Sequence, residues 1–345
     1  MKLKALTVGL ALSFPMLASA QGTSVTLYGN IDTAVEYVNN IADGTGGSNS
    51  SVHFTTVTST WPSYWGLRGT EKLSDNLSAV FTLESGFGKA TGMSGQGGRL
   101  FGRQAWVGLK GDWGQFALGR QYSMFFWANI HGDIMGPNAY GLATLDNYFP
   151  NARMDNSVTY RGSFDNFTFG AAWARGWGVN AAYDVLKGEG TGANNYYGLG
   201  SGDKDRRILA NAYVKFDALK VALTYLNRKN DGVNGVGNNV PGLGDRSDLW
   251  SLGASYGVTP AVTLDGSVNY MRYKNATAGS QKVWYYVARV KYALSKRTSV
   301  YASASYMDND DATRLSAAGG TPGPNILPNA GQSQTAVMAG LRHSF

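Results

Sequence analysis

Along most of the chain, apolar and polar side chains alternate with a period of two. In Ser24–Val38 one parity reads Val25, Leu27, Gly29, Ile31, Thr33, Val35, Tyr37, and the other Thr26, Tyr28, Asn30, Asp32, Ala34, Glu36. Successive side chains of a strand point to opposite faces, so this stretch predicts a strand with one greasy face and one bearing carboxylates. The same alternation returns at Leu219–Tyr225, Val262–Tyr270 and Val300–Tyr306. In a soluble sandwich the apolar face would be the core. Here the strands run about ten residues or more, the length a tilted membrane strand needs. Tyr, Trp and Phe recur at strand ends, as at Tyr37, Trp65, Phe87, Trp113, Tyr270, Tyr292 and Phe345, where interfacial girdles would stand. The expected fold class is all-β, a transmembrane antiparallel β-barrel.

Loop lengths alternate in the same sense. Short turns are expected at Ser74–Asn76, Gly111–Gly114, Phe164–Asn166, Asp217–Ala218, Val258–Pro260 and Ser295–Arg297. Long polar loops are expected around Ala42–Ser51, Gly88–Gly98, Asp231–Arg246, Lys274–Ser280 and Asp308–Gly331. Short turns at one rim and long loops at the other are the arrangement of outer-membrane barrels. A strict count gives fourteen strands, the seventh running from Phe167 to about Asp184. Sixteen requires dividing Phe167–Gly200 into Phe167–Arg175, Val179–Asp184 and Asn194–Gly200. Either even number lets the last strand lie beside the first.

One stretch breaks the rhythm. Arg99–Gln121 reads as two short strands around Gly111–Gly114, and the pattern then lapses from Tyr122 to Asn156 before strands resume at Ser157. In a closed barrel a loop this long either floats free or folds inside as a constriction. The second is expected, and it makes the barrel a pore. Arg103 and Arg120 precede the loop; Arg153 lies near its end and Arg161 follows it.

Composition narrows the picture. Lys2 and Lys4, the apolar run Ala5–Leu12 and Ala18-Ser19-Ala20 have the order of a secretory signal peptide over residues 1–20, leaving 21–345 as the barrel. There is no Cys, in keeping with an exported protein stabilised by a closed sheet rather than crosslinks. Without Lys2 and Lys4 there are 28 basic against 23 acidic side chains, dispersed rather than blocked, which gives no support to nucleic-acid binding. No apolar run after residue 20 approaches the about 20 residues of a membrane helix.

The chain resembles the trimeric general porins of Gram-negative bacteria, most closely the betaproteobacterial and neisserial group. The resemblance is carried by SVTLYGNIDTAVEY, WGLRGTEKL, RLFGRQAWVGLKGDWGQFALGRQY, DNSVTY, YALSKRTSVYASASY and the closing MAGLRHSF. It implies sixteen strands, a homotrimer in outer-membrane lipid and lipopolysaccharide, a third loop folded into the lumen, and a basic ladder facing acidic groups on that loop. By position, Arg103 and Arg153 match ladder arginines. Where the family often has SRWGLRG, this chain has Ser63-Tyr64-Trp65-Gly66-Leu67-Arg68-Gly69, so Tyr64 replaces a ladder arginine.

The expected mechanism is passive: a water-filled lumen narrowed by residues 122–156 sets a size limit for small hydrophilic solutes and ions, and opposed charges weight anions over cations. Arg103, Arg153 and Arg120 are the candidate positive side; each also reads as a salt-bridge partner. Asp133, Asp146 and Asp155 are candidates to face the eyelet, or else cap turns in the loop. Inward-parity Asp32, Glu36, Glu84 and Asp265 read as lumen polarity, and Trp127, Tyr140, Tyr148 and Phe149 as a sugar slide or loop packing. His53, His131 and His343 lack ligand spacing, no nucleophile elbow or phosphate loop is present, and Asp308–Asp311 reads as a solvated acidic loop rather than a cation site. No cofactor or enzymatic activity is expected. A substrate-preferring porin, for organic acids or short saccharides, and a surface-binding barrel such as an adhesin or phage receptor are the alternatives.

Overall fold

The computed structural model describes residues 22–345 except 56, 137, 146–151, 165–166, 170–176, 188–202, 232–242, 276–277 and 319–325. The expected signal peptide, the expected strand at Asn194–Gly200, and Asp146, Tyr148 and Phe149 lie outside the described residues.

The strands are β1 (Ser24–Ala42), β2 (Ser48–Phe54), β3 (Tyr64–Ser74), β4 (Leu77–Gly86), β5 (Gln104–Gly111), β6 (Gly114–Tyr122), β7 (Arg153–Phe164) and β8 (Phe167–Phe169). They continue as β9 (Trp177–Lys187), β10 (Lys204–Phe216), β11 (Leu219–Asn230), β12 (Leu243–Gly257), β13 (Val262–Asn275), β14 (Gly279–Ala293), β15 (Thr298–Asn309) and β16 (Gln334–Ser344). All pairings are antiparallel, and β1 lies beside β16. Fifteen strands follow one another across the sheet, from β8 to β9. The sixteenth, β2, flanks β1 on the same side as β3: Val35 faces Phe54 while Asn30 faces Tyr64. The described strands number sixteen, as the resemblance implies, and the strict count of fourteen is corrected. The single seventh strand is two, β8 and β9. The loop expected at Ala42–Ser51 is shorter than that: Ser48–Ser51 already belong to the strand β2, which was hidden by its polar sequence SNSSVHF.

The expected turns at Gly111–Gly114, Asp217–Ala218, Val258–Pro260 and Ser295–Arg297 are hairpin connections. At the first of them Gly114 has φ 117°, a conformation costly for any residue with a Cβ.

The two faces differ as the alternation predicts. Val25, Leu27, Leu252 and Val290 stand exposed on the outer face, where lipid rather than water is the matching solvent. Tyr225 packs on Trp250 (4.4 Å between ring centroids) and Tyr270 on Trp284 (4.8 Å), forming part of an aromatic girdle. The inner face is not uniformly polar. Leu209, Leu226, Leu249, Met271 and Val283 are cross-strand neighbours in one row from β10 to β14, and all are buried.

That row receives the third loop. Ser123 caps a helix, Met124–Gly132, by accepting from the Phe126 N–H at 3.1 Å. The helix runs along β9, β10 and β11, and Phe125, Phe126, Met135, Leu142 and Leu145 join the wall leucines in one apolar cluster. Burying each such side chain contributes about 1.5–3 kcal/mol. Gly132 lets the helix end approach closely, since a Cβ there would stand 2.6 Å from Asn211 Cβ. Polar ties follow around the wall: Asn211 Nδ2 donates to Ala128 O (2.8 Å), Lys220 Nζ to His131 O (2.9 Å), Arg289 Nη1 to Met135 O (3.0 Å) and Tyr140 OH to Glu36 (2.8 Å). These partners belong to β10, β11, β14 and β1, so the sheet wraps around the loop. The third loop is folded into the lumen of a barrel.

Candidate functional site

Where the third loop leaves β6 and returns at β7, two arginines meet one tyrosine. Arg103 Nη2 donates to Tyr122 OH at 2.7 Å and Arg153 Nη2 to the same oxygen at 3.1 Å. The Arg153 guanidinium also lies over the Tyr122 ring, 4.8 Å from its centroid. Arg103 lies over Tyr64 at 4.5 Å, so the tyrosine standing where a ladder arginine was expected supports a neighbouring guanidinium from below. Arg103 is fully buried and ion-paired with Glu84 through Nε. Glu84 accepts a further bond from Tyr28 OH at 2.9 Å. Arg153 is half-buried and has no carboxylate ion-pair partner among the described residues.

The remaining candidates separate. Arg120 pairs in the ladder with Ala105 and shares the face of Phe116 and Leu118. It donates to Gly102 O at 2.7 Å and to Asp155 at 2.7 Å, and Asp155 also pairs with Arg99 at 2.8 Å. Arg120 and Asp155 thus form an ion pair apart from the Arg103–Tyr122–Arg153 group. Asp133 does stand in the lumen, buried at the C-terminal end of the loop helix. Its carboxylate accepts from the backbone N–H groups of Met135 (3.1 Å), Gly136 (3.2 Å) and Leu142 (3.0 Å). Burial pushes its pKa up to about 7, against the pull of those three donors and of Arg289. Its geometry is that of a loop staple. Tyr140 also packs and anchors, through Glu36.

Sequence reasoning read Asp265 as lumen polarity but missed its partners, and it missed a second group altogether. Arg289 and Lys291 hold Asp265 at 2.8 and 2.9 Å on β13 and β14. Asp205 is buried between Arg228 (2.9 Å) and Arg207 (3.5 Å) beside the loop helix. Their shared inward parity was the available signal. Lumen carboxylates Glu84, Asp205 and Asp265 are therefore ion-paired. The inward-parity bases Arg68, Arg153, Arg161, Lys220 and Arg342 have no carboxylate ion pair among the described residues; they rest on Tyr28, Tyr122, Trp127, His131 O and Asn30 respectively. Among the described residues, inward Arg68, Arg103, Arg153, Arg161, Arg207, Lys220, Arg228, Arg289, Lys291 and Arg342 outnumber the inward carboxylates Asp32, Glu36, Glu84, Asp133, Asp184, Asp205 and Asp265, so the lumen carries a surplus of positive charge.

Known proteins match this arrangement. Residues 5–312 match the family model described as Gram-negative porin. An outer membrane porin of Bordetella pertussis is 30% identical over the whole of both chains. Among solved structures, the anion-selective porin from Comamonas acidovorans is 24% identical, covers 94% of this chain and all of its own, and superposes with a TM-score of 0.59. The trimer form of OmpT from Vibrio cholerae, 16% identical with the same coverages, gives 0.63. A barrel of antiparallel strands, a third loop folded inside it and a match over most of the chain lead to one conclusion: this chain belongs to the Gram-negative porin family of the outer membrane.

Proposed function

We propose that this porin, a passive channel for small hydrophilic solutes and ions, favours anions over cations and performs no catalytic step. The observation that carries the reading is the surplus of inward bases without a carboxylate ion pair among the described residues, Arg153 foremost, beside a loop that narrows the lumen. A low-dielectric wall focuses their field on whatever passes. The zero-current potential of the refolded protein in a planar bilayer under a KCl gradient tests it. The expected sign favours chloride. A potential favouring potassium refutes the anion preference, and the absence of conductance refutes the channel.

We further infer a homotrimer, with outer-leaflet lipopolysaccharide against its lipid-facing side. Just beyond the aromatic girdle, outward-facing Arg206, Lys229 and Arg246 are successive cross-strand neighbours, as are Arg272 and Lys282. Asp231 pairs with Arg206 at 2.8 Å and Asp248 with Arg246 at 3.6 Å, and lipid phosphates at headgroup level would offset the like-charge repulsion that remains. At the same level β1 and β16 present Tyr37 and Val337, which suits contact with neighbouring subunits. Gel mobility before and after heating reads the trimer.

A further inference from the structure

The third loop is not alone in the lumen. Between Phe54 and Tyr64 the chain is longer than the stretch of β1 that it flanks, from Val35 back to Asn30. The excess, Val57–Ser63, turns inward, with Thr58, Ser59, Thr60 and Ser63 buried. The β1 residue it bypasses is Asp32, and Asp32 holds it. The carboxylate accepts from Thr58 Oγ1 at 2.6 Å, from the Trp61 N–H at 3.1 Å, from Tyr301 OH across the seam at 2.6 Å, and from Thr60 Oγ1. Where the ladder has lost its partner strand, the Ser63 hydroxyl substitutes: it accepts from Asp32 N (3.0 Å) and donates to Asp32 O (3.1 Å).

The far side of the bulge is fastened to the other pore elements. Ser59 Oγ meets Ser303 Oγ at 2.6 Å, and Ser59 O accepts from Arg289. The Ala139 N–H of the third loop donates to Thr58 O at 3.1 Å, and Asn138 Nδ2 donates to Thr60 O. Through Nη1, the same Arg289 guanidinium also reaches the third loop at Met135 O, while its Nε bonds Asp265 at 2.8 Å. Two inward segments, one between β2 and β3 and one between β6 and β7, therefore meet and are pinned by shared donors. A buried carboxylate with this many donors costs too much to strip for the bulge to swing away freely.

We propose that Val57–Ser63 is a second constriction element, that it sets the size limit jointly with the third loop, and that Asp32 is the positioning residue that keeps it across the lumen. The inference rests on the channel reading, and wild-type conductance separates failure of the two. Replacing Thr58→Ala together with Thr60→Ala cuts the tie from the bulge side, is charge-neutral and leaves β1 intact; Asp32→Ala cuts it from the wall. Both are expected to raise single-channel conductance by about half and to admit larger saccharides in a liposome-swelling assay. Because the chain has no Cys, Ser59→Cys with Ser303→Cys adds one reversible clamp. In the Thr58→Ala/Thr60→Ala background, oxidation is expected to restore the wild-type size limit and reduction to release it. A conducting wild type beside a folded Thr58→Ala/Thr60→Ala variant with unchanged conductance and size limit overturns the proposal, as does a clamp whose oxidation changes nothing.

Discussion

Arg153 is the lumen base whose removal has the most direct consequence. Its guanidinium is half-buried, stacked on Tyr122 and free of any carboxylate ion pair among the described residues, so Arg153→Ala removes a full unit charge from the passage. For an ion passing about 7 Å away in water, that charge is worth about 0.6 kcal/mol. Screening over a Debye length of about 8 Å at physiological salt reduces it to about 0.25 kcal/mol. Anion and cation shift in opposite senses, so their permeability ratio changes by about 0.5 kcal/mol, or about twofold. At 0.01 M salt the Debye length grows to about 30 Å and the same sum gives about fivefold. Zero-current potentials of wild type and Arg153→Ala, at both ionic strengths and with equal yield of folded protein, measure it. An anion preference that is unchanged at both salts, or that falls equally at both, refutes the electrostatic reasoning.

Other expectations follow from the same contacts. Glu84→Gln leaves Arg103 unneutralised, so anion preference should rise by about twofold, opposite in sign to Arg153→Ala, while loss of a buried ion-pair partner costs about 3–5 kcal/mol in thermal denaturation; a fall in anion preference counts against it. Asp133 ordinarily titrates near 3.8, and burial raises it to about 7. Folding therefore favours its protonated form, and this contribution to stability is full below about 3.8 and is lost as pH rises through about 7. Lowering pH from 8 to 6 should accordingly add positive charge to the lumen and strengthen anion preference, and Asp133→Asn should reduce that change; a variant with the wild-type pH profile excludes Asp133 as a source of it. Gly132→Ala should lift the loop helix from Asn211, costing about 1–3 kcal/mol and altering conductance; unchanged thermal stability and conductance would show that the helix end has room to move.

Much of the barrel could be read from side-chain parity because each strand faces two different solvents. The residues that anchor the third loop were harder to read, although they left a mark. At Ile208-Leu209, Tyr225-Leu226, Leu249-Trp250, Tyr270-Met271 and Val283-Trp284 both members of a neighbouring pair are apolar. There the inner wall also faces something apolar, and the five inner members form the row beneath the loop. The helix Met124–Gly132 was hidden for a related reason: MFFWANIHG has no polar stripe because it is covered on several sides. Arg120 has the parity of Phe116 and Leu118, so its outward side was legible, whereas proximity to the loop in sequence suggested the lumen. The return strand begins at Arg153 rather than Ser157. A register shift opposite Gly119–Gln121 and a positive φ of 49° at Asn156 interrupt its alternation without ending it. The bulge at Val57–Ser63 could not be foreseen, because its partners on β1, β14 and β15 are distant in sequence.

The seam between β1 and β16 bears on how the molecule is made. Asn30 through Val38 pair with Ser344 back to Ala336, and Gly29 exchanges backbone bonds with Phe345 at 3.2 and 3.1 Å. Every other pairing in the sheet joins segments much closer along the chain, so this one contact spans nearly the whole polypeptide. Loop closure over that separation is entropically the most expensive step, and rates fall as such contacts dominate. Until the last residues are delivered, β1 presents an open edge, the kind of surface that seeds aggregation. Losing a few C-terminal residues would therefore matter less for the finished pore than for whether a nascent chain reaches it.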